Sequence, residues 1–258
     1  MKKGMRICGI ILFVAICAAI WADIRWGHTL SSEVLTASDS VDSELIETPY
    51  HKDGIEAVYP RFVSGGTKEQ LERWNQLIYK DFDRILQIYS FNPFPEPAPS
   101  PQTSMPVLLR IGYTVKQNSE RYLSILYTAA YNSPYSAHPT DLVYTTNIDK
   151  EEDRKIRLRD YVKLNLDFVK NFRTWNFIPV EEDNEELNQA IRDYISQMSD
   201  QDLLLGFQEA DVIGSDNLYG IFSYMTVDRL GISLSVPNYI GDHVEFEADK
   251  KNLQEYIR

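Results

Sequence analysis

An α+β fold, an antiparallel sheet with helices packed on it behind one N-terminal apolar segment, is what this 258-residue sequence predicts. Three observations carry it. Strand-like and helix-like stretches come in blocks and do not alternate, which speaks against repeated βαβ units. The connections between successive strand-like stretches are too short for crossovers, which favours antiparallel pairs. An unbroken apolar run, Ile7 to Ala22, follows Lys2, Lys3 and Arg6 and stands apart from everything after it.

That run comes first in the chain. A cationic start before an apolar run is the pattern of an export signal or a membrane anchor. As a helix the run spans about 24 Å, somewhat short of a hydrocarbon core of about 30 Å. Trp21, Ile24 and Trp26 extend it, with the two Trp suited to the interface. Ile20-Trp21-Ala22 places a bulky residue where a cleavage site wants a small one, and Ile16 precedes Cys17 where lipid-attachment signals carry Gly or Ala. The reading is residues 1–27 as signal peptide or anchor, 28–51 as a polar spacer and 52–258 as the folded domain. That domain works outside the cytoplasm, tethered through residues 7–22 or secreted.

The elements follow in order. Residues 28–51 are rich in Ser, Thr and acids, with room for a first edge strand near their end. Ile55 to Phe62 alternates as a strand, and Pro60 confines it to an edge or a strand end. Thr67 to Ser90 is the clearest helix. Thr67 and Gln70 form a capping box, and Leu71, Trp74, Ile78, Phe82, Ile85 and Tyr89 give one apolar face that places Trp74 in the core. Asn92 to Pro106 holds half of the chain's 12 prolines and reads as an extended surface loop. Val107 to Gln117, Tyr122 to Tyr131 and Leu142 to Asp149 are rich in β-branched and aromatic residues and read as strands. Lys155 to Val162 reads as a further short strand running into a turn. Leu166 to Trp175 and Asp183 to Met198 read as helices, with Leu203, Leu204, Leu205 and Phe207 packing beneath them. Leu218 to Val227, Gly231 to Val236 and Val244 to Ala248 return to strand, and a closing helix is capped by Asp249.

Composition narrows the function. Net charge is −12, and the cationic start makes the remainder more acidic still. Such a domain does not bind nucleic acid non-specifically and favours a cationic partner. Both cysteines, Cys8 and Cys17, lie in the apolar run, so the folded part has neither a disulfide nor a cysteine metal site. Of four histidines only His138 and His243 fall in the folded part, and no zinc-hydrolase spacing occurs. No G-x-S-x-G and no phosphate-cradling glycine loop is present. Gly65-Gly66 precedes the capped helix, where it serves as a turn or as an anion site at the helix start. No catalytic residue, metal ligand set or cofactor is expected.

One loop stands out. Tyr131, Tyr135, His138 and Asp141 cluster around a Pro-containing connection between two strands. Exposed aromatic and polar residues on a loop held by rigid strands suit recognition of a sugar or a protein. The competing role for His138 is to fix the loop by bonding its backbone.

The order of short motifs here is also familiar. The strand Tyr122 to Tyr131 is followed by Ala137-His138-Pro139, Asn147-Ile148-Asp149 and Leu158-Arg159-Asp160-Tyr161. Then come Phe222-Ser223-Tyr224-Met225-Thr226, Gly231-Ile232 and Pro237-Asn238-Tyr239-Ile240-Gly241. Over residues 52–258 this resembles the RsiV-like extracytoplasmic domain, the outer half of a lysozyme-sensing anti-sigma factor that also precedes some peptidoglycan deacetylase domains. The chain departs from that pattern at Tyr135-Ser136, where the family has glycines. It departs again at the two extra residues between Thr226 and Ile232, and at Ile240-Gly241-Asp242-His243. The resemblance implies the fold and an extracytoplasmic setting, and lysozyme recognition is not carried over with it. The short stretch ahead of the apolar run leaves no sigma-binding segment, and no deacetylase domain follows. Two function classes result: a non-catalytic domain binding a cell-wall glycan or a basic exported protein, and a hydrolase or accessory domain acting on envelope polysaccharide.

Overall fold

The computed structural model describes residues 43–90, 108–132, 138–179, 184–214, 216–217 and 219–258. The apolar run at 7–22, the whole proline-rich stretch 92–106 and Tyr135 lie outside them. Among the described residues, no helix is long and apolar enough to cross a membrane.

The fold is α+β and mainly antiparallel. The first sheet follows chain order: β1 (Leu45–Lys52), β2 (Ile55–Phe62), β3 (Leu109–Asn118), β4 (Tyr122–Tyr131), β5 (Thr140–Asp149) and β6 (Arg154–Lys155). Its neighbours are antiparallel except β2 and β3, which run parallel. Helix α1 (Lys68–Ser90) lies between those two strands in the chain and supplies the crossover that a parallel pair needs. The second sheet is antiparallel in the order β7 (Asn176–Ile178), β10 (His243–Asp249), β9 (Arg229–Ser235) and β8 (Phe222–Met225). Helices α2 (Leu158–Tyr161), α3 (Leu166–Phe172), α4 (Glu185–Gln197) and α5 (Asp200–Glu209) complete it.

Several elements differ from the sequence reading. The edge strand for which residues 28–51 left room is β1, so the sheet begins at Leu45, ahead of the boundary placed at 52. Two sheets replace one, and the β2–β3 pair is parallel because α1 intervenes. Lys155 to Val162 runs from a strand into a turn as read, but the strand is shorter. Two residues of strand are followed by one helical turn, because the Asp160 carboxylate accepts from Arg157 N at 2.7 Å and closes that turn. The closing helix is a short 3-10 turn, Lys250–Asn252, with no side-chain cap from Asp249.

Two apolar cores fill the molecule. In the first, α1 lays Trp74, Ile78, Phe82 and Ile85 on β2–β5, against Ile111, Ile125 and Tyr127. In the second, Phe168, Val169, Phe172, Ile191 and Phe207 from the helices pack on Ile232, Leu234 and Phe246 of the second sheet. Strand β8 serves both, because successive side chains alternate. Phe222 and Tyr224 join the first core, and Met225 joins the second. Tyr224 lies across Gly231, where a Cβ would come 2.1 Å from its Cζ. Its hydroxyl reaches Glu245 at 2.7 Å and Glu247 at 2.9 Å.

A buried polar junction joins the two sheets. Asp211 accepts four hydrogen bonds, from Ser223 N at 2.6 Å, Ser223 Oγ at 2.7 Å, Leu158 N at 2.7 Å and Thr145 Oγ1 at 3.1 Å. Asn147 donates to the Ser223 carbonyl at 2.8 Å and accepts from Ser124 Oγ at 2.7 Å. Ser124 Oγ in turn accepts from Met225 N at 2.9 Å. Burial pushes the Asp211 carboxyl above the usual range, and the donors from Ser223 and Leu158 act in the opposite direction.

The start of α1 carries the expected capping box. Gln70 N donates to Thr67 Oγ1 at 3.2 Å, and Thr67 N donates to Gln70 Oε1 at 2.9 Å. Thr67→Ala leaves Gln70 N without that acceptor. Thermal unfolding should show a loss of about 1 kcal/mol. A Thr67→Ser variant, which keeps the oxygen, should retain most of the stability.

Candidate functional site

The expected loop residues are placed by two elements, the β4–β5 connection and the turn between β9 and β10. In that turn Gly241 at φ 111° and Asp242 at φ 67° are both left-handed, which lets the chain reverse sharply. The Asp242 carboxylate then bridges the two connections. It accepts from Asn238 Nδ2 at 2.9 Å and from Asp141 N at 3.0 Å. Asn238 Nδ2 also lies 3.3 Å from His138 Nδ1. If His138 Nδ1 accepts that amide hydrogen, the ring hydrogen sits on Nε2. The His138 Nδ1 contact with the Pro139 carbonyl, at 3.2 Å, belongs to the other tautomer.

The structure therefore brings His138 and Asp141 together, through Asn238 and Asp242. Beside them Tyr239 is 79 % exposed, a large side chain presented to solvent on the same turn. Tyr131 pairs with Thr140, beside Asp141, at the end of β4. Its ring packs on Tyr89 of α1 with centroids 4.8 Å apart. Tyr135 lies outside the described residues.

Tyr131 leads to a second feature that the sequence reading missed. Tyr89 Oη and Tyr144 Oη are 2.6 Å apart, and Phe222 meets the Tyr144 ring edge-on at 5.1 Å. Tyr89, Tyr144 and Phe222 wall a groove of about 580 Å³. Leu142, Ile88 and Arg84 complete its sides, and Gly220 and Ser235 line it as well. Gly220 sits at φ 52°, and a Cβ there would lie 2.1 Å from Ser235 Oγ, so a side chain at that position would collide with the wall. Burial raises both tyrosine pKa values, so both hydroxyls stay protonated at neutral pH. One hydrogen is used between them and the other remains to give to a ligand.

Groove and rim adjoin. Leu142 on the groove wall follows Asp141 in β5, and Val236 N, next to Ser235, donates to the Asp242 carbonyl at 2.9 Å. The result is an open aromatic trough with a hydroxyl donor, adjoined along the chain by a rim of imidazole, carboxamide, carboxylate and one exposed phenol. This chemistry suits a polar ligand with apolar faces, as a sugar has. Arg84 and Tyr89 escaped the sequence reading because on α1 a polar-face arginine and a terminal apolar-stripe tyrosine look like solvation and core. Asn238 and Asp242 escaped because their partners lie about a hundred residues away.

No family model and no curated protein matches the chain. Among solved structures, a DUF3298 family protein from Pseudomonas aeruginosa is similar, with TM-score 0.47 and 11% identity over 85% of this chain and 95% of that one. A DUF3298 family member from Bacteroides fragilis gives TM-score 0.43 and 11% identity over 84% of this chain and 92% of that one. Both neighbours are DUF3298 proteins.

Proposed function

We propose that the chain is a non-catalytic binding domain for a cell-wall glycan, held outside the cytoplasm by its N-terminal apolar segment or secreted. The observation that carries this is the aromatic groove of about 580 Å³, with the His138–Asn238–Asp242 cluster adjoining its Leu142 and Ser235 walls along the chain. The export-type N-terminus and the motif resemblance to RsiV-like extracytoplasmic domains support the location. Aromatic faces take the C–H faces of a pyranose, and the tyrosine hydroxyls and rim groups take its hydroxyls.

The test is calorimetric titration with a neutral N-acetylglucosamine tetramer. Ile88→Glu in the groove and His138→Ala at the rim should each weaken binding at least several-fold while the melting temperature stays unchanged. Binding that survives both changes would remove the groove from the proposal. Loss of stability without loss of binding would make the rim scaffold.

A hydrolase is the second reading, and one observation favours it. Glu245 and Glu247 share the Tyr224 hydroxyl, which sets two carboxylates close together. Each also has a cation, Lys116 at 3.6 Å from Glu245 and Arg229 at 2.9 Å from Glu247, which suits a structural cluster. Release of reducing ends from peptidoglycan, abolished by Glu245→Gln, would establish the hydrolase.

A further inference from the structure

A second cavity, of about 520 Å³, lies on the other side of Arg84. Its walls come from α1 (Lys80, Asp81, Arg84), from the chain after β5 (Lys155, Arg157) and from the segment following α5 (Asp211). The acids there already have partners. Asp81 Oδ2 lies 2.7 Å from Lys155 Nζ and accepts from Thr146 Oγ1 at 2.7 Å. Asp83, also on the wall, accepts from Gln87 Nε2 at 2.6 Å, and Asp211 accepts the four hydrogen bonds of the sheet junction.

The guanidiniums differ. Arg157 donates to two backbone carbonyls, Ala210 O at 2.8 Å from Nε and Gln208 O at 3.2 Å from Nη2. Arg84 reaches the Ile213 carbonyl at 3.4 Å and the Gln87 amide oxygen at 3.4 Å. Among the described residues neither arginine forms an ion pair, and Lys80 is exposed at the mouth without one. A carbonyl oxygen orients a guanidinium and does not neutralise it. Four cations, Lys80, Arg84, Lys155 and Arg157, line the pocket against three carboxylates, Asp81, Asp83 and Asp211, so in a chain of net charge −12 it holds an excess of positive charge.

We infer that this cavity is an anion subsite, and that it takes the carboxylate or phosphate of an acidic glycan whose neutral portion occupies the neighbouring aromatic groove. The extension to a glycan rests on the groove reading above; the anion site does not. Arg84 borders both cavities, so one ligand can run from one into the other along α1. Arginine forks match carboxylate and phosphate oxygens alike, which leaves the source of the anion to experiment.

The first measurement uses inorganic phosphate alone. It should raise the melting temperature saturably at millimolar concentration. Lys80→Gln should weaken that effect and Arg157→Gln abolish it. The Lys80 change, at an exposed position, carries the test should Arg157→Gln fail to fold. The second measurement compares the neutral N-acetylglucosamine tetramer with a tetrasaccharide bearing muramic carboxylates and with an oligomeric glycerol phosphate. The acidic ligand that matches should bind about ten-fold more tightly than the neutral one at low salt. The preference should shrink at high salt and in Lys80→Gln and vanish in Arg157→Gln, with affinity for the neutral ligand unchanged. A larger gain for the muramyl sugar assigns a carboxylate, and a larger gain for the glycerol phosphate assigns a phosphate polymer. Wild-type protein that ignores phosphate, or variants that respond as the wild type does, would overturn the subsite. Phosphate binding without tetramer binding would overturn the groove and leave the subsite standing.

Discussion

Asp211→Ala is expected to cost the protein about 3–5 kcal/mol. The side chain is 1% exposed and is the acceptor for Thr145, Leu158 N and both donors of Ser223. Alanine removes the acceptor and leaves these donors facing a dry cavity, where each unpaired group carries its full desolvation penalty. Asp211→Asn should be intermediate, because its amide nitrogen must face donors where an oxygen now stands. Urea denaturation of the wild type and both variants checks this. A loss of under 1 kcal/mol for the alanine variant would mean that water replaces the carboxylate, and the junction would then not hold the sheets together.

Trp74→Ala should cost about 3–5 kcal/mol, through a different mechanism. Trp74 is 3% exposed and packs on Phe62 with ring centroids 5.1 Å apart. Its Nε1 donates to Asp153 Oδ1 at 2.7 Å, tying α1 to the turn between β5 and β6. Lys150 Nζ, whose pKa burial lowers to about 8, sits 5.7 Å from the indole. Alanine therefore opens a cavity, cuts that tie and strips one aromatic face from a buried ammonium. Trp74→Phe keeps most of the volume and loses the N–H, so it should cost about 1 kcal/mol. Equal losses for the two variants would place the whole effect in the hydrogen bond to Asp153, against a packing role.

What was legible in the sequence follows from how local each cause is. Helix α1 and strands β2 and β4 were readable because their signals, a capping box and regular apolar spacing, are contained in their own residues. The turn at Leu158 was readable from its Leu-x-Asp pattern, but its anchor was not. Its first amide is received by Asp211, whose position near Leu158 depends on the whole of the α3–α5 layer. The division into two sheets was equally hidden, since strand character does not reveal a strand's neighbour. At the candidate site, His138 and Asp141 were found because a loop between two strong strands is itself a local pattern. Their partners Asn238 and Asp242 sit on a turn whose sequence predicts a reversal and nothing about what it touches. Tyr131 does lie beside the loop, opposite Thr140, but the direction of its ring was not readable. Its spacing put it near the loop, while its ring follows the strand pleat onto Tyr89.

The parallel seam between β2 and β3 has a consequence for biogenesis. During synthesis the β1–β2 hairpin can form as soon as it emerges, because its register is local. The sheet cannot grow past it until α1 has formed and the chain has returned to residue 109. Even then β4 and β5 expose Ser124, Thr145 and Asn147, whose partners Asp211, Ser223 and Met225 come off the ribosome only much later. A partly made chain thus holds a polar-studded, half-covered sheet for a long interval. Translation pauses within residues 150–225 would lengthen that exposure, and a holdase that shields sheet faces would gain its longest window there.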